Sequence, residues 1–124
     1  MSTIKATTLS NLAGSATVPT DTVVSGTAKA WVNFNGTGTV AIRRAFNVSS
    51  ITDNGTGDYT VNFTSAMVDA NYAVVGETGG TATVASLVLA DQTTARTTTA
   101  FRLYVITTGG ALIDAAQVNT AIFY

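Results

Sequence analysis

The chain has 124 residues, six basic and seven acidic, with no histidine, no cysteine and a single proline. That length suffices for one domain with a modest core. The missing His and Cys exclude zinc sites, disulfides, Cys or Ser-His nucleophiles and a charge switch near neutrality, and a net charge of −1 offers nucleic acid no phosphate-neutralising patch.

Residues 1–27 are small, polar and weakly periodic, punctuated by Pro19 and Gly26, with Leu9, Leu12, Val18, Val23 and Val24 scattered among them. Such a stretch is either a flexible leader or an extended N-terminal arm that anchors the domain to a neighbour by strand addition. The start has no continuous apolar segment of signal-peptide length. The longest apolar run, Val84 to Ala90 with Ser86 inside it, is far short of a membrane span. No targeting or membrane-inserted segment is therefore expected.

From residue 28 onward the pattern is that of strands. Ala30, Val32 and Phe34 alternate with Lys29, Trp31 and Asn33, and Gly36-Thr37-Gly38 supplies a turn. Val40 and Ile42 continue the alternation until Arg43-Arg44 shifts its phase ahead of Phe46 and Val48, as a β-bulge would. The cluster from Asp53 to Asp58 carries the Asn-Gly hairpin signature. Tyr59, Val61 and Phe63 form the cleanest alternation in the chain, followed by Tyr72 to Glu77 before Gly79-Gly80.

Further strands are predicted over Ala82 to Ala90, over Thr98 to Ile106 with Phe101, Leu103 and Val105 on one face, and over Ala115 to Tyr124 after Gly109-Gly110. A polar loop through Asp91-Gln92-Thr93-Thr94 separates the first two. No window of helical length holds a 3.6-residue period; only Ala111 to Ala116 would accommodate a helical turn. The fold expected is all-β, an antiparallel β-sandwich or jelly-roll-like domain of seven or eight strands over residues 28–124, with the arm before it.

Threonine accounts for 24 residues, whereas charged residues make up only 10%. It is β-branched and suits a half-exposed strand face. A surface so poor in charge leaves sheet edges open to pairing. A homo-oligomer, most simply a trimer, is the expectation.

Candidates for chemistry are few. A glycosidase needs two carboxylates facing a sugar, and the available acids are Asp53, Asp58, Asp69, Glu77, Asp91 and Asp114. Turn capping is the role expected of them, because several lie beside Gly, Asn or Thr. A Ser or Thr nucleophile would need Lys5 or Lys29 as base, and neither sits in a recognisable motif. The chain is expected to be non-enzymatic and to use no cofactor.

A calcium reading of the Asp53–Asp58 loop competes with the hairpin reading of the same residues. Arg43 and Arg44, adjacent on a strand, face opposite ways unless a bulge realigns them. They are candidates for one inter-subunit ion pair and one solvated charge. Tyr59 and Tyr72 fall in phase with apolar neighbours and are expected in the core. Trp31 falls out of phase with Ala30, Val32 and Phe34. It is an interface residue or a platform for a ligand such as a sugar ring, and with Arg43 and Arg44 makes up the candidate interface or ligand surface.

Three stretches carry a resemblance: AKAWVNFNGTGTVAIR, FNVSSITDNGTGDYTVNFT and the DANYAV continuation, together spanning residues 28 to about 74. They resemble a module recurrent in tail-fibre-like and other virion structural proteins of tailed bacteriophages. The resemblance implies a β-rich, trimeric domain on the virion surface, at tail or capsid, made in the bacterial host cytoplasm. Its implied partners are itself, other virion proteins through the N-terminal arm, and a host surface glycan or protein. The role expected is a short tail fibre or receptor-binding module. The alternative is a capsid decoration (cement) protein that bridges and stabilises the shell.

Overall fold

Residues 2–80, 86–90 and 93–124 are described by a computed structural model of the chain. The expectations for residues 82–85 and for Asp91 and Gln92 lie outside the described residues.

Eight strands between Ala30 and Phe123 form a sandwich of two four-stranded antiparallel sheets. Strands β3 (Ala30–Asn35), β4 (Ala41–Phe46), β7 (Ala73–Gly79) and β10 (Gln117–Phe123) make one sheet, in the order β4-β3-β10-β7. Strands β5 (Val48–Gly55), β6 (Asp58–Phe63), β8 (Ser86–Ala90) and β9 (Ala100–Thr107) make the other, in the order β5-β6-β9-β8. These eight strands match the expected fold class and count.

Alternation in the sequence becomes burial in the sandwich. Ala30, Val32, Phe34, Val118 and Ile122 point inward from the first sheet, and Tyr59, Val61, Phe63, Phe101, Leu103 and Val105 from the second. Tyr72 and Met67, from the connection between β6 and β7, complete the core. Aromatic edges meet faces within it: Phe34 and Tyr59 rings lie 5.2 Å apart, Phe63 and Tyr72 5.7 Å.

The phase slip at Arg43-Arg44 is a bulge. Asn33 pairs with Arg44 and Phe34 with Ile42, so Arg43 is the unopposed residue. Phe46 and Val48, by contrast, do not continue one strand. Asn47 between them adopts a φ of 53°, a left-handed conformation that Asn tolerates better than most residues. Its Nδ2 donates to the Lys29 and Ser65 carbonyls, and its Oδ1 accepts from the Ser65 amide. This corner carries the chain from the first sheet to the second, leaving Phe46 exposed and Val48 buried.

The hairpin at Asp53–Asp58 also forms, but its tip is Thr56-Gly57 rather than Asn54-Gly55. Asn54 is instead the unopposed residue of a bulge between Asp53 and Gly55, where its Nδ2 donates to Thr60 Oγ1 at 2.9 Å.

The N-terminal segment is less extended than expected. Strands β1 (Thr8–Ser10) and β2 (Thr17–Pro19) form a small hairpin closed by Asn11, whose side chain engages Ser15 and Ala16. Helix α1 (Thr20–Gly26) follows directly, so the helical turn lies here and not over residues 111–116. Pro19 before it, Asp21 in its first turn and Gly26 at its end fit a short helix. Residues 111–116 run irregularly, touching β9 through the Ile106–Leu112 bridge. None of the described residues before Ala30 is buried.

Candidate functional site

Two clusters of polar and aromatic side chains stand out, one inside the sandwich and one on its surface. The inner one centres on Tyr59, which is fully buried; its hydroxyl lies 2.8 Å from both the Gly36 carbonyl and Asp114 Oδ1. Asp114 Oδ1 also accepts from the Gly57 amide at 2.8 Å. Asp114 therefore departs from the turn-capping role expected of the acids. It ties the hairpin tip and β6 to the chain entering β10.

Burial, and then the Asp114 carboxylate beside it, push the Tyr59 phenol well above its ordinary value of 10. The folded protein thus holds Tyr59 in the neutral form. Its contribution to stability is complete below about pH 10, where the unfolded phenol is also neutral. That contribution is lost as pH rises above 10 toward the folded value. Tyr72, raised by burial, acts in the same direction. Unfolding free energy, followed by urea titration, should stay flat through neutrality and decline from about pH 10. Tyr59→Phe should lower stability at pH 7 by about 2 kcal/mol and make the alkaline decline shallower.

Asp53, Asp58, Asp69 and Glu77 also have partners. Asp58, on β6, receives Arg102 Nε at 2.7 Å on Oδ1 and its terminal nitrogen at 2.5 Å on Oδ2. Glu77 lies on β7 and accepts from Asn119. Turn capping holds for Asp53, which accepts the Gly55 amide, and for Asp69, which accepts that of Asn71. Asp53 and Asp58 are thus each engaged by a different group. No cluster of three or more His, Cys, Asp or Glu suited to a metal occurs among the described residues.

The surface cluster lies on the outer face of the first sheet. Register places Phe46, Trp31, Ala121 and Val75 side by side across β4, β3, β10 and β7. The next row is Arg44, Asn33, Asn119 and Glu77. Directly paired residues of antiparallel strands share a face, so these eight side chains form two parallel stripes. The first is apolar and open to solvent: Phe46 and Val75 are each 54% exposed and Trp31 37%.

Between Trp31 and Val75 the small Ala121 leaves a groove of about 520 Å³, edged by Asn33, Asn119 and Glu77. Along the second stripe, Asn33 Nδ2 donates to Asn119 Oδ1 at 2.5 Å and Asn119 Nδ2 to Glu77 Oε1 at 3.1 Å.

Of the three residues singled out from sequence, Trp31 and Arg44 thus come together on one face, in neighbouring rows. Arg43 does not join them. Its guanidinium donates to the Phe34 and Ala116 carbonyls, at 3.2 and 2.6 Å, and binds the bulge to the loop before β10. Phe46, Val75, Glu77, Asn119 and Ala121 escaped notice because only cross-strand register assembles them with Trp31. For Val75, Glu77, Asn119 and Ala121 strand parity was the available signal, since each occupies an outward position; Phe46 faces outward only because the bulge at Arg43 inverts the parity after it.

No protein-family model, curated protein or solved structure matches the chain.

Proposed function

We propose that the chain is a non-enzymatic structural protein of a tailed bacteriophage, displayed on the particle surface as a homo-oligomer. In this reading it serves as a short tail fibre or receptor-binding module, attached to other virion proteins through its N-terminal arm. The sequence resemblance over residues 28–74 supplies the context. One observation carries the attachment role: Ile4, Leu12 and Val24 are 94%, 108% and 62% exposed, so the arm's apolar side chains are not covered by its own sandwich. Exposed apolar groups on a self-closed hairpin and helix suit a surface contributed by another protein.

Deleting residues 2–27 tests this. The sandwich should keep its β-type circular dichroism, because its core draws nothing from the arm. Particle incorporation, followed by immunoblotting of purified virions, should fall at least about tenfold. Unchanged incorporation would remove the arm from the attachment role. A capsid decoration protein would use the same arm. Labelled protein found at the capsid instead of the tail would favour that second reading.

A further inference from the structure

We propose that the outer face of the β4-β3-β10-β7 sheet is a two-fold interface, and that its occupant is a second copy of the same face. The reason is its self-complementarity. A two-fold axis running parallel to the strands, between β3 and β10, exchanges the two halves of each row when copies meet face to face. The row Phe46, Trp31, Ala121, Val75 then sets Trp31 over the partner's Ala121 and Phe46 over the partner's Val75. Each large ring meets a smaller side chain, and the groove above Ala121 receives an indole from the other copy.

The same operation on the second row sets Arg44 opposite the partner's Glu77, and Glu77 opposite the partner's Arg44. Unlike charges meet at both ends, as an isologous contact requires. Within one chain Arg44 and Glu77 stand on opposite edge strands with two strands between them, so neither can neutralise the other at contact distance. Asn33 and Asn119 enter the contact already hydrogen-bonded along the ladder that ends on Glu77. This lowers the cost of removing their amides from water.

Sheets stacking this way lie about 10 Å apart, with strands aligned to within about 30°. Four strands of about six residues present a face of roughly 19 by 20 Å, so the two copies together cover about 800 Å², below the size of a stable specific interface and suited to a weak, transient pairing. A sugar ring stacked on Trp31 is the rival occupant. It would use the indole and amides but leave the Arg44–Glu77 symmetry unexplained.

This inference rests on the homo-oligomeric part of the proposed function and is independent of the virion assignment, which particle incorporation tests. It replaces the three-fold association expected from sequence with a two-fold one. The decisive experiment uses the full chain and its charge reversals Arg44→Glu and Glu77→Arg, with mass measured by light scattering and native mass spectrometry. Wild type should dimerise in the range of about 1–100 μM.

Each single reversal puts like charges at both ends of the contact and should weaken pairing at least about tenfold. Mixing the two variants should restore pairing as a heterodimer, because both ends then carry opposite charges. The double reversal R44E/E77R should pair like wild type. Ala121→Trp, which fills the groove, should also abolish pairing, with circular dichroism confirming that the variant folds. A wild-type monomer throughout that range, a trimer, a dimer indifferent to the reversals, or a mixture without heterodimer would each overturn the proposal. So would glycan binding to the Trp31 face by a protein that stays monomeric.

Discussion

Gly57→Ala should lower the unfolding free energy by about 3 kcal/mol, the sum of a left-handed backbone penalty and the cost of overpacking. Gly57 has a φ of +63° at the tip of the β5-β6 hairpin. A Cβ there would lie 2.6 Å from the Val105 carbonyl oxygen, 2.7 Å from that of Ile113 and 2.8 Å from the Ile113 nitrogen. All three are backbone atoms that cannot rotate aside. They also belong to a connected set of bonds: Val105 N donates to Gly57 O, and Ile113 N to Val105 O.

Moving the tip therefore disturbs β9 and the loop before β10 together. Gly38→Ala is the control. Its φ is +61°, but nothing lies within 4 Å of the added methyl, so it should cost only about 1 kcal/mol. Urea denaturation of the two variants measures the difference, and equal losses would show that the crowding at Gly57 is unimportant.

Arg102→Met should destabilise by about 2–3 kcal/mol. The Asp58 side chain retains only 12% of its accessibility, and Arg102 grips both of its oxygens. Removing the cation leaves a carboxylate that the interior solvates poorly. The expected loss lies below that of a wholly buried pair because the Arg102 side chain is 33% exposed. Asn54, which donates to Asp58 Oδ1 at 3.3 Å, compensates weakly. The double variant Asp58→Asn with Arg102→Met should be less destabilised than the sum of the single changes. Strict additivity in a thermal or urea cycle would contradict this pairing.

Strand parity was legible in the sequence because each strand buries one face, so the inward residues of β3, β6 and β9 emerge from alternation alone. The bulge at Arg43 was legible only as a charged pair interrupting the alternation; the parity inversion it causes, which turns Ala45 inward and Phe46 outward, was not, because the apolar residues on either side keep even numbers. The corner at Asn47 was not, because a left-handed residue that transfers the chain between sheets leaves no break in hydropathy. The short helix was masked by its β-branched composition, Thr-Asp-Thr-Val-Val.

Least visible was the surface cluster. Trp31, Ala121 and Val75 stand in one row only because β10 pairs with both β3 and β7, and no local pattern announces a pairing between residues so far apart along the chain. Tyr59 illustrates the division: its phase placed it in the core, while its Asp114 partner, 55 positions away, depended on topology.

The position of β10 also governs the order of assembly. It lies between β3 and β7 and joins what would otherwise be two fragments of the first sheet. During synthesis β3 and β4 can form their hairpin early, but β3 keeps an unpaired edge until the last strand of the sandwich has emerged. Such non-local closure slows folding and leaves pairing-competent backbone exposed in the nascent chain. The first sheet can therefore close only once residues 117–123 have left the ribosome, and a ribosome stalled before residue 117 holds a chain whose first sheet lacks its middle.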